Sequence, residues 1–440
     1  MCAEYRSLNM KKIIFIFGLL VDFLPVFSQK LALKDAINIA LRNSLEIQVY
    51  RQLLDIASIS NFIGMAGGLP FVTGSATDNF AFNGVNQKFN TGQVIKRNGA
   101  EANNLSANIT GSILLYNGSR VMATKGRLQI LEKQGQDFLN AAIQTLMATV
   151  MTSYYDIIRQ QGYTKTLELA IVVARKKLEI VQTQQGVGLA NNADLFQAQV
   201  DLNNLVQSEQ SQLLVVNQAK ADLLRLMTSR PDSTIIIEDT IDVDRNILLE
   251  DVLNRVPANP DVLAADDLIR INQQIIKEVS AQRYPSLKGN LGYTYSGNNA
   301  SAGQLLLNQS YGPFVGLGLI VPIYNGSVYK RQQKIANLNT NIAAFQKDML
   351  VRDYRANVIK TFQAYSTTLQ QLEGQTKNYQ LAQQLLQLVI QRFQFRQATI
   401  IDVTQAQQSF VTASFSLVNY SFVAKSAEIE LKRVASQLTF

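Results

Sequence analysis

The stretch ITGSILLYNGS, Ile109 to Ser119, leads into a long helical pattern that closes on GLANNADLFQAQ, Gly188 to Gln199. Both ends return 208 positions later. Tyr116-Asn117-Gly118-Ser119 recurs as Tyr324-Asn325-Gly326-Ser327, and Asp194, Ala198 and Gln199 recur as Asp402, Ala406 and Gln407. Two separated motifs that share one offset leave no net insertion between them. The chain therefore reads as an internal duplication, each half one copy of the same unit.

From Ser119 to Val187 there is no proline, and Gly126, Gly135 and Gly162 are the only glycines before Gly186. Leu128, Leu131, Phe138, Ala142, Leu146, Val150, Tyr154 and Ile157 follow the three-or-four spacing of a coiled coil. About 69 residues at roughly 1.5 Å each give a helix about 100 Å long, which needs long neighbours. Gly186-Val187-Gly188 breaks it, and Ala193 to about Met227 resumes antiparallel, reaching only half-way back. The N-terminal pattern Leu33 to Ala66, with Ile37, Leu41, Leu45, Val49, Leu53 and Ala57 every four residues, has the length to fill the other half. The expected return path is two helices end to end.

Outward from these helices, the alternation of period two marks strands. In the first, about 70–82, Val72, Ala76, Phe80 and Phe82 oppose Thr73, Ser75, Thr77 and Asn79, with Asp78 out of place on the apolar face. Asn83 to Asn104 is polar and reads as a long loop. A second strand, about 105–116, sets Leu105, Ala107, Ile109, Ile113 and Leu115 against Ser106, Asn108, Thr110 and Ser112. The second half repeats this with strands at about 285–297 and 311–324. The expected organisation is a first repeat over 29–228 with its helical hairpin at about 119–228. A short β-like linker follows over 229–248, then a second repeat over 249–440 with its hairpin at about 327–438.

Composition narrows the chemistry. Charged residues are 17% of the chain, below the usual quarter. The formal charge of +8 is spread without a dense basic run, so no nucleic-acid footprint is indicated. There is one cysteine, Cys2, and no histidine, which excludes Cys/His metal sites and histidine-based triads. Asp266-Asp267 and Glu238-Asp239 are the only tempting carboxylate clusters, and adjacent acids of this kind are ordinarily solvated. No phosphate-binding loop or redox motif is present, so neither an enzyme nor a cofactor is expected. Residues 1–28 read as a secretory signal, with Met10-Lys11-Lys12, the apolar run Ile13 to Val21, and Val26-Phe27-Ser28 before Gln29. Met10 is a plausible initiator. No later stretch has the roughly 20 apolar residues of a membrane helix.

Four alternating strands cannot close a barrel, and an open sheet in lipid would leave unsatisfied edges. If the strands lie in a membrane, several chains must share one barrel: two would supply eight strands, three twelve. The signal segment, the duplicated strand-strand-long-helix unit, the paired Y-N-G-S motifs, G-L-x4-D-L-x2-A-Q at the first tip and RFQFRQATIIDVTQAQ, Arg392 to Gln407, at the second together resemble the TolC-like outer-membrane efflux protein family. The resemblance covers residues 31 to 438. It implies a mixed fold: a trimeric β-barrel with four strands per chain, joined to a long α-helical coiled-coil barrel. It implies a channel-tunnel of the outer membrane that exports small molecules or proteins within a tripartite efflux or type I secretion system. The partners implied are two sister chains, a periplasmic adaptor, an inner-membrane pump and outer-membrane lipid.

Mapped onto this chain, Gly188, Leu189, Arg396 and Gln397 would meet the adaptor, although Arg396 stands where the family usually has glycine. Gly188 can equally serve the turn alone. Asp194 and Asp402 would ring the periplasmic aperture or simply stabilise the helix starts beside them. Gln405 stands where some members carry a second acid. Tyr116, Tyr284, Tyr293, Tyr311 and Tyr324 near strand ends suggest an interfacial belt. A secreted coiled-coil stalk or adhesin is the alternative; it explains the helices but not the four strands.

Overall fold

The computed structural model describes residues 29–439; the signal segment read over 1–28 lies outside them. A two-residue strand β1 (Gln29–Lys30) opens the chain. It is followed by α1 (Leu33–Asn43), α2 (Leu45–Ser60), β2 (Phe71–Lys88), β3 (Val94–Tyr116), α3 (Arg120–Gly186) and α4 (Asn192–Leu226). Then come β4 (Ile235–Ile236), α5 (Leu249–Arg255), α6 (Pro260–Ala281), β5 (Ser286–Ala300), β6 (Leu307–Ile320), α7 (Val328–Gln394) and α8 (Ile400–Val434). The bounds of α3 and α4 recur 208 positions on as those of α7 and α8, and the paired helices have 67 and 35 residues in each copy.

The helices form four parallel rails. The sheet-side half of α3 packs between α2 and α6, and its far half between α4 and α8; α7 lies against α6 and then α8. One rail is thus α1–α2 continued by α4, and another is α6 continued by α8. The first join is the main core: Ala36, Ile37 and Ala40 of α1 and Leu223, Leu224 and Met227 at the end of α4 are buried together over Val150, Tyr154 and Ile157 of α3. The expected N-terminal helix over 33–66 is in fact two helices ending at Ser60. Ser44 leaves helical geometry, and its hydroxyl accepts from Ile47 N–H, the preference of a small hydroxyl residue for a cap over a helix interior.

The linker crosses this join. β4 pairs in parallel with β1. Tyr154 donates to the Leu31 carbonyl at 2.9 Å and to Asp239. Farther on, Asp244 N–H donates to Glu428 of α8 at 2.9 Å, and Tyr365 of α7 donates to the Asp244 carbonyl. Buried Glu428 also accepts from Lys425 and Lys432, so no charge there is left without a partner.

The sheet is antiparallel in the order β2-β3-β5-β6. Residues that pair directly share a face, so the register sorts the side chains. One face carries the rows Leu287–Leu319, Ile113–Gly289–Leu317, Val72–Gly111–Leu291–Val315, Gly74–Ile109–Tyr293–Pro313 and Ala76–Ala107–Tyr295–Tyr311. Its large side chains are exposed, Val315 at 86% and Leu317 at 74%. The other face carries Thr73, Ser75, Asn108, Thr110, Ser112, Asn290 and Thr294, with Ser75 donating to Asn108 at 3.0 Å and Ser112 to Asn290 at 2.8 Å. Asp78 falls one row beyond Tyr295 and Tyr311. Leu105 pairs with it, and exposed Phe80 and Phe82 follow on the same face, so Asp78 interrupts an apolar face as its place in the sequence suggests.

All four strands of the sheet differ from expectation in at least one bound. The stretch 83–104 is mostly strand: the β2–β3 ladder continues to Lys88–Val94 through an irregularity near Gly84 and Gly99. This part extends past β5 and β6, and side chains on both faces are largely exposed, so no alternation marks it. β5 runs to Ala300. β6 begins at Leu307 and ends at Ile320, because Pro322 has no N–H for the ladder.

Candidate functional site at the hairpin tips

At the end of α3, Gly188 takes φ +77, and its N–H and that of Leu189 bond back to Gln185 and Gln184. The second tip repeats this at Arg396, φ +63, with N–H bonds from Arg396 to Phe393 and from Gln397 to Arg392. This is the left-handed helix ending that glycine normally supplies. The return helices start on side-chain caps. Asn191 accepts from Asp194 N–H at 2.8 Å. Thr399 and Asp402 form a reciprocal capping box, Asp402 accepting from Thr399 N–H at 2.7 Å and from its hydroxyl. Those bonds hold the Asp402 carboxyl below the usual carboxylate range, the backbone bond foremost.

The two tips touch. The Arg396 guanidinium donates to the Leu189 carbonyl at 3.0 Å, and Gln184 to the Phe393 carbonyl at 3.4 Å. Val181, Ala198, Phe393 and Val403 close a small core above them. Between the tips lies a cleft of about 380 Å³ lined by residues that include Gln184, Leu189, Asp194, Phe393 and Arg396. Gly188, Leu189, Arg396 and Gln397 thus sit together, with Asp194 in the cleft wall and Asp402 exposed at the start of α8.

Two features had no signal in the sequence. Around Leu189, Val187 and Phe395 in the turns and Phe196 and Ile401 near the starts of α4 and α8 are exposed, Phe395 at 76%; single apolar residues at a tip have no period to betray them. Farther from the tip, the Lys177 side chain is fully buried and donates to Asp201 at 2.6 Å and to Thr404 at 3.1 Å. This joins α3 and α4 to α8. Within the run Arg175-Lys176-Lys177, nothing distinguishes the buried lysine from its solvated neighbours. Among the described residues, no group of His, Cys, Asp and Glu could hold a metal, and no helix is long and apolar enough to cross a membrane.

A sequence profile described as Outer membrane efflux protein matches residues 36–229 and 253–436. No curated protein matches the chain. Among solved structures, the outer membrane protein VceC of Vibrio cholerae is 17% identical, with 92% of this chain and 95% of that one covered and a TM-score of 0.75. The CmeC outer membrane channel of Campylobacter jejuni is 16% identical, with 92% and 85% covered and a TM-score of 0.74. CusC, described in relation to transmembrane channel formation, is 16% identical, with 93% of each chain covered and a TM-score of 0.75. At these identities the likeness is one of fold, while the profile spans both halves. The chain belongs to the outer membrane efflux protein family: it is an outer-membrane channel for efflux in tripartite pumps, its helices forming a periplasmic extension.

Proposed function

We propose that three copies of this chain close one twelve-stranded barrel above a twelve-rail helical tunnel, through which the pump's cargo leaves the periplasm. The observation that carries this is the pair of open edges on the sheet. β2 and β6 each have one hydrogen-bonded neighbour, and the bilayer does not tolerate unpaired backbone groups. The outer rails are open as well. Leu45, Val49, Ile56 and Ile59 on α2, and Ile335, Leu338, Ile342, Phe345 and Met349 on α7, are exposed along their helices. Both series lie on the membrane-side half, where one chain's α7 would cover its neighbour's α2.

Three copies suit the polar face better than two. Eight strands enclose an interior that side chains fill, whereas more strands leave a lumen. A face of Thr, Ser and Asn needs water. The nine or so residues from Tyr311 to Leu319 suit a tilted strand crossing. The test is the mass of the detergent-extracted particle together with conductance in planar bilayers. A particle of one or two chains, or a trimer that passes no current, would sink this reading.

The tips are proposed as the docking surface for the periplasmic adaptor, with Gly188, Leu189, Arg396 and Gln397 at its centre. Exposed Leu189, Phe395 and Ile401 would otherwise hold apolar surface against water, at roughly 25 cal/mol per Å². Asp194 and Asp402 would place six carboxylates around the periplasmic mouth of a trimer and favour cations there. Paired replacement by asparagine should lower cation selectivity; unchanged selectivity would leave these residues only the role of stabilising helix starts.

A further inference from the structure

The Y-N-G-S turns stand where sheet meets helix, and each is followed by cations. Arg120 begins α3; Lys330, Arg331 and Lys334 lie in the first two turns of α7; Arg283 follows α6 at the same level. All five are exposed, and none has a salt bridge among the described residues. Counter-charges are lacking by sequence: no acid occurs between Glu101 and Glu132, or between Glu278 and Asp348. The nearest bounding acids are committed, Glu278 to Arg127 and Glu132 to Asn61.

The apolar band ends immediately above. Tyr116, Tyr284 and Tyr324 are exposed at this level, as is Ile323 at 94%. Each chain therefore presents aromatic and aliphatic surface, then five unpaired cations within the first turns below it. The helix starts are built for the opposite sign of charge from their own residues. α3 and α7 open with no acidic residue and with no cap bond from Ser119 or Ser327, α3 having only a long 3.4 Å bond from Val121 N–H to Asn117, whereas α4 and α8 at the tips open with Asp194 and Asp402 and are capped. Cations at a helix N-terminus oppose the helix dipole unless an anion lies between them. Asn325 Nδ2, in the turn before α7, is enclosed and has no acceptor.

We infer that this collar binds the phosphate headgroups of anionic glycerophospholipids in the periplasmic leaflet of the outer membrane. The inference rests on the sheet spanning the bilayer, and not on how many chains share it. An anionic lipid satisfies both parts of the surface at once, with acyl chains on the Leu287–Leu319 and Leu317 rows and the phosphate at Arg331, Lys330 and Lys334. The outer leaflet lies at the opposite end of the band, beyond Tyr295 and Tyr311.

The test reconstitutes the full chain into phosphatidylethanolamine vesicles containing about one-tenth phosphatidylglycerol, extracts it gently, and measures the lipid it carries. Each cation near a membrane surface contributes about fivefold to anionic-lipid affinity. Phosphatidylglycerol should be enriched at least about fivefold over the bulk ratio, and K330Q/R331Q/K334Q combined with R120Q/R283Q should bring it close to that ratio. K88Q/K96Q, on the distal hairpin, should leave enrichment intact. For the unaltered chain, enrichment should fall as salt rises from about 0.05 to 0.5 M, as screening requires. Enrichment that survives the five substitutions together, or that ignores salt, would overturn the inference. Heat-modifiable migration and particle mass report assembly separately, so a failure of the trimer reading shows there and not in the lipid ratio.

Discussion

The guanidinium of Arg396 reaches across the paired hairpins to the carbonyl of Leu189, 3.0 Å away. Arg396 does so from a left-handed backbone, φ +63, at the position equivalent by the 208-residue offset to Gly188, φ +77. A side chain in that conformation costs about 1–2 kcal/mol. At the first tip the glycine avoids this cost; at the second the arginine's bond to Leu189 offsets it.

Substitutions at Arg396 should separate strain from bond. Arg396→Ala keeps the strained backbone and loses the contact, while Arg396→Gly loses the contact and relieves the strain. Amide exchange at the tips should rank alanine fastest, with glycine slower by about 1 kcal/mol of local opening free energy. Equal exchange in the two variants would refute the strain argument.

Lys177 and Asp201 should behave as a buried pair. Asp201→Ala leaves the lysine charge enclosed beside Thr404, a loss of about 3–5 kcal/mol. A joint Lys177→Met and Asp201→Leu replacement should recover most of that. Thermal unfolding of the helical part, compared across the three variants, decides it; a double variant no better than the single would count against the pairing.

Gly118 should not accept a side chain. Its φ is +67, and a Cβ there would lie 2.7 Å from the Tyr284 Cβ and 2.8 Å from the Ala281 carbonyl. Gly118→Ala is expected to reduce the heat-modifiable assembled form in the outer membrane severalfold. Wild-type yield from this variant would show that the turn can move aside.

The two faces of the sheet should respond oppositely to charge. Val315→Lys, on the apolar face, should cost about 2–4 kcal/mol near the bilayer middle. Thr294→Lys, on the polar face, should assemble normally and shift conductance toward anions. Folding yield and reversal potential are the measurements.

The capping box should be sensitive to acid. Because bonds from Thr399 depress the folded pKa of Asp402, its contribution is present above the ordinary carboxylate value of about 4 and is lost as pH falls through the lower folded value. Exchange protection over Ile400–Thr404 should decline in that acidic window. Asp402→Asn should remove the dependence; a pH profile unchanged by this substitution would contradict it.

The long helices, their hairpin breaks and the duplication were legible because each leaves a repeating mark. Leu146, Val150, Tyr154 and Ile157 recur at the helical period, and Y-N-G-S recurs at one fixed offset. The β2–β3 extension was not legible: Asn83 to Asn104 has two exposed faces, so nothing forces its residues to alternate. The break at Ser44 was hidden for the opposite reason, since the apolar period carries through it on both sides.

The chain's one-dimensional pattern settles what must be periodic: which faces of helices and strands leave water, and how long each element runs. Folding in three dimensions settles what is singular. No period foretells that Arg396 would meet Leu189, that Lys177 alone among three adjacent cations would be enclosed, or that Asp78 would stand one row past the tyrosines. Burial acts on whole faces and so writes itself along the sequence. A single polar contact depends on where two distant backbones cross, and local residue types carry no record of that crossing.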